Sequence, residues 1–347
     1  MTSRDFDFID LFAGIGGTRR AFELAGGGCV FASEKDEAAC KVYEKNFGME
    51  PNRDITEVDP SDVPDHDVLV AGFPCQPFSL AGNRHGFNEP DKGTMFYYIR
   101  NIIREKKPKA FFLENVKGLL SIEGGDTIKT MLHLLRDQCE YYVPEPEVIN
   151  ALDFGLPQDR ERVFIVGFSK ETGIEDFEYP APMISAEKRK KLHLGTVLED
   201  WDEMPKLRDK IPKKYYLSEG YLKCLENHKE TQKKKGYGFG YCIKDPEKDP
   251  ASTLMVGGMG RERNLIQDPN IDMNSKDTGK KTPINEGLIR TLTPREFARL
   301  QGFSDDFDFS MVSDINAYRL FGNSVAIPAV KATADCIIER LSQAGLL

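Results

Sequence analysis

A chain of 347 residues, 40% apolar and 30% charged with a net charge of −9, has the make-up of a globular protein too long for one ordinary core. No run approaches the roughly 20 apolar residues of a membrane span, and Met1–Asp5 leads into a strand-like run with no secretory-signal pattern. Seven cysteines (29, 40, 75, 139, 224, 242, 336), scattered and without a C-x-x-C pair, argue against a disulfide framework or a metal site and for a reducing cytoplasm.

Asp5–Phe12 reads as a strand. Phe12-Ala13-Gly14-Ile15-Gly16-Gly17 follows it and opens a helix over Thr18–Ala25. Glycines at such a turn let backbone N–H groups approach a ligand at the helix N-terminus. The spacing is G-x-G-G, so the pyrophosphate-cradling fingerprint is incomplete. Glu34 ends a strand over Cys29–Ser33 about twenty residues later, where an acid takes ribose hydroxyls. The pair suits a nucleoside without a pyrophosphate, such as S-adenosylmethionine, with Phe12 against its sulfonium. A plain strand–turn–helix connection is the alternative reading of the glycines.

A helix over Glu37–Asn46 and a strand over Asp67–Ala71 lead to Gly72-Phe73-Pro74-Cys75-Gln76-Pro77-Phe78-Ser79. A thiol at the end of a buried strand, on a loop stiffened by two prolines, is held for reaction. The alternative is a small buried hydrophobe, which is what most cysteines are. A helix over Met95–Glu105 precedes a strand over Ala110–Leu113, which ends in Glu114-Asn115-Val116. An acid there is costly unless partnered or protonated, which suits a hydrogen-bond donor. After a helix over Asp126–Gln138, Gln158-Asp159-Arg160-Glu161-Arg162 enters a last strand, Val163–Phe168. Two guanidiniums at i and i+2 share a face and could fix a carboxylate or a base carbonyl, the alternative being an exposed charged edge. Alternation at this spacing predicts an α/β fold with a doubly wound, mainly parallel sheet.

Tyr179-Pro180-Ala181-Pro182 marks the exit from that domain. Residues 183–288 are basic and Gly-rich, with short strands expected around Gly236–Ile243 and Ala251–Val256 and a long polar loop over Asp268–Glu286. Residues 1–100 hold 17 acidic against 10 basic residues, whereas 183–241 hold 14 basic against 9 acidic, including Lys188–Lys191, Lys213-Lys214 and Lys233–Lys235. Such asymmetry suits a catalytic domain joined to a polyanion-binding one, although solvated lysine faces would look the same. The helical pattern returns after 288 and ends in a helix over Ile327–Leu341 beginning near Pro328.

Phe12–Gly17, Gly72–Ser79, Glu114–Val116, Gln158–Gly167, Arg290–Phe303 and Phe321–Val325 together resemble, in order, the signature blocks of prokaryotic DNA (cytosine-5) methyltransferases. The resemblance implies a Rossmann-like, class I S-adenosylmethionine-dependent catalytic domain over 1–182. It implies an inserted target-recognition domain over 183–288, a hinge over 289–305, and a segment over 306–347 returning to the catalytic domain. Cys75 would add to C6 of a flipped cytosine, with Glu114 on N3 and the exocyclic amine, Arg162 on O2 and Arg160 orienting Glu114. Phe12, Gly14, Gly16, Gly17, Glu34, Lys35, Asp54, Ile55, Pro74, Asn323 and Ser324 would hold the cofactor. Glu34 would take the ribose, Asp54 and Ile55 the adenine edge, and Asn323 and Ser324 the methionine end. Lys35 departs from the family by replacing an aromatic residue that stacks on adenine.

Contacts to DNA would come from Gln76, Ser79 and Arg84 on a closing loop and from Thr253, Leu254, Arg261 and Arg263 in the inserted domain. Asn264 is a further base reader by residue type. Duplex DNA is the expected partner of a monomer in a restriction–modification setting, with a cognate endonuclease encoded nearby and no stable complex. A tRNA methyltransferase on the same blocks is the nearest competitor, but its relatives carry Pro-Pro-Cys where this chain has Phe73-Pro74-Cys75. A catalytically dead DNA-binding regulator is opposed by the presence of Cys75, Glu114 and Arg162.

Overall fold

The computed structural model describes residues 4–51, 54–74, 95–199, 210–238, 240–256, 261–275 and 281–347. Cys75, Gln76, Ser79 and Arg84 lie outside the described residues.

Four parallel strands, β1 (Phe6–Leu11), β2 (Gly27–Ser33), β3 (Val68–Gly72) and β4 (Ala110–Val116), form one side of a seven-stranded sheet in the order β2-β1-β3-β4, with β2 at the edge. β5 (Tyr141–Tyr142) and β6 (Glu147–Asn150) follow, then β7 (Gln158–Asp159), outside this sheet, and β8 (Glu161–Ser169). β8 runs antiparallel to β4 and pairs with β5 and β6. Helices α1 (Gly17–Leu24), α2 (Glu37–Phe47), α3 (Met95–Lys106) and α4 (Asp126–His133) connect the strands. The helix expected over Asp126–Gln138 is present, its last part a wider π turn over Leu134–Gln138.

Period-two alternation explains why the strands read as continuous apolar runs. Phe8, Val68, Val70, Phe112 and Val166 pack on the face that carries Ala21 and Phe22 of α1. Ile9, Leu69, Ala71, Phe111, Leu113 and Ile165 pack on the other, against Phe96, Ile99, Ile102 and Ile103 of α3. A sheet buried on both faces has no polar side to alternate with. Because β2 and β3 lie on opposite sides of β1, the chain reverses its winding there, and a crevice opens beyond the carboxyl ends of these strands.

The remaining elements are α5 (Ala186–Arg189), β9 (Ile211–Pro212), α6 (Glu219–Lys234), β10 (Ile243–Lys244), β11 (Ala251–Ser252), β12 (Leu265–Gln267), β13 (Ile271–Asp272), β14 (Ile289–Arg290), α7 (Pro294–Leu300), α8 (Asp314–Asn323) and α9 (Ile327–Gln343). They build three small sheets, β10-β12-β14, β13-β9 and β11-β7, with a satellite core around Leu217, Leu225 and Leu265.

Two sequence expectations change here. Of the strand expected around Gly236–Ile243, the described residues show Ile243–Lys244, and α6, capped by Ser218 accepting from the Tyr221 N–H, ends just before that stretch at Lys234. Gly236, at φ +81°, follows the helix end. The polar stretch Asp268–Glu286 is not all loop, since Ile271–Asp272 pairs with Ile211–Pro212. Two small-sheet pairings cross the expected segment boundaries: β11 zips onto β7, and β14 joins β12. At the far end α9 packs on α1, so the last helix returns to the first.

Candidate active site

A cavity of about 850 Å³ lies beyond the strand ends. Its wall takes Phe12, Gly14 and Gly17 after β1, Glu34 and Lys35 after β2, and Pro74 after β3. Asp54 and Ile55, Glu114 of β4, Arg160 and Arg162 before and within β8, and Asn323 and Ser324 at the end of α8 complete it. Gly16 is not part of the wall. It holds φ +83° at the N-cap of α1, and a Cβ there would stand 2.2 Å from the Phe47 ring. Only glycine meets both conditions. Gly17 makes a second close approach, since its Cβ would meet Ser324 Oγ at 2.5 Å. Phe12 itself sits at φ +55°, a strained backbone for a large side chain at the mouth of a site.

Glu34 bridges two of the loops. One carboxylate oxygen accepts from the Gly14 N–H at 2.9 Å, and the other accepts from the Lys35 and Asp36 N–H groups at 2.8 Å each. Lys35, in place of an aromatic ring, faces Asp54 at 3.7 Å. At the opposite end Ser324 Oγ is buried with no hydrogen-bond partner. An acid on the loop after the second strand, a glycine-lined turn and an orphaned hydroxyl at the far end fit a nucleoside carrying an amino-acid tail.

Beside this space the ends of β3 and β4 lie in register, Gly72 opposite Glu114. Asn115 Nδ2 donates to the Phe73 carbonyl at 2.9 Å and so fixes the chain two residues before Cys75. Asn115 belongs to a block noted in the sequence, but its task appears only when β3 and β4 are side by side. Because β8 is antiparallel to β4, Val116 pairs with Arg162, and Arg162 Nε reaches Glu114 Oε1 at 3.1 Å. Burial lifts the Glu114 carboxyl above the ordinary carboxylate range, and Arg162 and then Arg160 pull it back. A carboxyl so balanced can hold a proton for donation.

Three expected roles are corrected. Arg160 makes no hydrogen bond to Glu114. Its buried guanidinium donates to the carbonyls of Ser324 (2.5 Å), Gly322 (3.3 Å) and Leu254 (3.4 Å), and Arg162 makes the direct contact with the acid. Leu254 is only 2% exposed, its N–H donating to Gln158 Oε1, so its side chain serves the core and does not face DNA. Asn264 is fully buried and exchanges two hydrogen bonds with the Ser252 backbone, which removes it as a base reader. Thr253 Oγ1 donates to the Asp159 carbonyl, whereas Arg261 and Arg263 are exposed, the first over the Tyr318 ring at 5.0 Å.

The sequence reading passed over Thr18, Asp36 and Arg319, which also line the cavity. Arg319 grips Asp36 through two hydrogen bonds, and Thr18 donates to the buried Asp10 at 2.7 Å. Among the described residues no helix is long and apolar enough to cross a membrane.

The family model for C-5 cytosine-specific DNA methylase matches residues 6–339. The chain is 50% identical over 338 residues to the type II methyltransferase M.HpaII of Haemophilus parainfluenzae, covering 97% of this chain and 90% of that protein. It is 41% identical to the type II methyltransferase M1.ScrFI of Lactococcus lactis subsp. cremoris, covering 97% and 79%. Its fold is similar to that of the Dnmt2 methyltransferase of S. pombe, with a TM-score of 0.71 at 20% identity over 97% of this chain and 99% of that one. With a family model matched almost end to end and relatives this similar along their lengths, the chain belongs to the C-5 cytosine-specific DNA methylase family.

Proposed function

We propose that the chain transfers a methyl group from S-adenosylmethionine to C5 of a cytosine flipped out of duplex DNA, through a bond between Cys75 and C6. The observation that carries this reading is the pairing of the β3 and β4 ends, with Asn115 tying down Phe73 beside the Glu114–Arg162 pair. C5 of cytosine is a poor nucleophile. A thiolate bonding to C6 pushes the ring π electrons toward C5 and N3, and Glu114 donates a hydrogen bond at N3 as charge develops there. The cofactor, when bound, would supply an electrophilic methyl group, its S–CH3 bond giving way to the C5–CH3 bond and leaving S-adenosylhomocysteine, a neutral thioether. Once C5 carries it, the C5 proton leaves to a base, the ring electrons re-form the C5–C6 double bond, and the Cys75 thiolate departs.

Glu34 would hold the ribose, Asp54 and Ile55 the adenine edge, with Phe12, Gly14, Gly17, Lys35 and Pro74 around them and Asn323 and Ser324 at the methionine end. Gly16 contributes by allowing the turn. Arg162 orients Glu114 and meets the cytosine carbonyl, while Arg160 holds the 322–324 turn. Residues 183–288 would form the target-recognition domain, swinging on 289–305, with 306–347 completing the catalytic domain. Exposed Arg261 and Arg263 are the candidate base readers, and the exposed lysines at 188, 190, 191 and 233–235 would meet phosphates. Type II methyltransferase relatives support a restriction–modification role. A cytoplasmic monomer beside a separately encoded endonuclease is the arrangement proposed with it.

The test is transfer of labelled methyl from S-adenosylmethionine to duplex DNA and to tRNA, with trapping on DNA carrying 5-fluorocytosine. Fluorine cannot leave C5 as a cation, so a covalent, cofactor-dependent adduct should survive denaturing electrophoresis. Cys75→Ser should abolish both trapping and turnover. Label on tRNA alone, or an adduct that persists in Cys75→Ser, would overturn the proposal.

A further inference from the structure

Among the described residues the cavity wall carries four carboxylates and four cations. Three of each pair off: Lys35 with Asp54 at 3.7 Å, Arg162 with Glu114 at 3.1 Å and Arg319 with Asp36 at 2.7 Å. Glu34 is met by backbone N–H groups and Arg160 by backbone carbonyls. With all of these groups ionised, the charges of the wall sum to zero. One of these pairs differs from the others in what it joins. Arg319 Nη1 and Nη2 reach the two oxygens of Asp36 at 2.7 and 3.0 Å, a fork-on-carboxylate geometry spanning 283 positions of sequence.

Asp36 lies on the loop after β2 and Arg319 lies on α8, four residues before Asn323. The pair thus spans from the loop of Glu34 to the helix that ends in Asn323 and Ser324. It also acts on Glu34 through the backbone, since the Asp36 N–H donates to Glu34 Oε1 while Glu34 Oε2 holds the Gly14 N–H. Side chains of the pair are about one-third exposed, 34% and 33%, which places them on the rim and not under the floor.

We propose that Asp36 and Arg319 are positioning residues that form a charge-balanced strap across the cofactor cavity, holding Glu34 in place and setting how the site discriminates between a cationic methyl donor and its neutral product. The proposal rests on the reading of the cavity as an S-adenosylmethionine site. A sulfonium donor and the thioether it becomes differ by one positive charge and one methyl group, so any unbalanced charge on the wall discriminates between them. Asp36→Asn leaves Arg319 unmatched and turns the wall positive, while Arg319→Gln leaves Asp36 unmatched and turns it negative. Both break the same bridge. Asparagine is as good an N-cap as aspartate, so α2, which Asp36 caps through the Ala39 N–H at 2.9 Å, keeps its start.

The experiment is calorimetric titration of the full-length protein with S-adenosylmethionine and, separately, S-adenosylhomocysteine, with the thermal midpoint of each variant recorded without ligand. Each single substitution should weaken both ligands several-fold. The ratio of the two affinities should move in opposite directions, about two- to fivefold against the sulfonium in Asp36→Asn and about two- to fivefold toward it in Arg319→Gln. Arg319→Lys, which keeps the charge and loses the fork, should weaken binding with the ratio unchanged. The exchanged pair Asp36→Arg with Arg319→Asp should recover the wild-type ratio. A ratio that shifts the same way in both single variants, or affinities equal to wild type in both, would overturn the strap. Wild-type protein that binds neither ligand would overturn the cofactor reading itself, a result separate from any behaviour of the variants.

Discussion

Asp10 stands near the end of β1, fully buried, with one carboxylate oxygen accepting from Thr18 Oγ1 at 2.7 Å and the other without a partner. Burial pushes its carboxyl from 3.8 up to about 7, against the opposing pull of Thr18 and Arg19. A carboxyl whose folded-state pKa lies above its unfolded value favours folding fully below the lower value, and that contribution is lost as pH rises through the higher one. At about 1.4 kcal/mol per pKa unit, the ionised side chain weakens the fold by up to about 4 kcal/mol at pH 8. Asp10→Asn keeps the acceptor for Thr18 and cannot ionise. In urea titrations followed by tryptophan fluorescence or circular dichroism, wild type should lose stability from about pH 4 to about pH 7. The variant should lose less, and it should be the more stable of the two at pH 8. Parallel curves for the two proteins, or a variant less stable than wild type at pH 8, would show that Asp10 stays ionised through a partner and refute the reasoning.

Glu114→Gln should cut turnover by about 10²-fold or more, since the amide cannot supply the same proton to a developing anion, while binding of S-adenosylhomocysteine stays within about twofold in calorimetry. Asn264→Ala should cost about 1–3 kcal/mol in urea unfolding by leaving the Ser252 backbone unpaired, with the methylated sequence unchanged in bisulfite maps. Arg263→Ala should do the reverse, staying within about 0.5 kcal/mol in stability and altering DNA affinity or site choice in binding assays. Gly16→Ala should lower stability by at least about 1–2 kcal/mol in the same unfolding assay, because it combines a left-handed backbone with a collision against Phe47.

Much of the catalytic half was legible because its strands are buried on both faces and end in recognisable turns. Phe6–Leu11, Val68–Gly72 and Ala110–Val116 each carry an apolar run straight to a chemical group. Local signals also existed for elements that went unread. Thr293-Pro294 with Glu296 is a capping box that announces α7, and Ser218 announces α6. Other features have no local signature. Arg160 and Arg162 look alike in sequence, and only the antiparallel entry of β8 sends one to Glu114 and the other to carbonyls more than 90 residues away. Asn264 has the chemistry of an adenine reader, and burial alone decides otherwise. Arg319 lies just before the Phe-Gly-Asn-Ser block, yet its partner is 283 positions upstream, beyond the reach of any spacing argument.

The return of α9 to α1 ties catalytic competence to the order of synthesis. Gly17 is packed against Phe303, Ser324 and Val325, and Asp36 is gripped by Arg319, so residues made first depend on residues made last. A ribosome that has released the first 182 residues has exposed every strand of the main sheet and most of the reactive groups. The part of the cavity wall made by Asn323 and Ser324, however, does not yet exist. At translation speeds of about 5–20 residues per second that interval lasts many seconds. Throughout it the nascent chain carries Cys75 without a complete cavity, so truncated or stalled products should be inert toward DNA in a methyl-transfer assay.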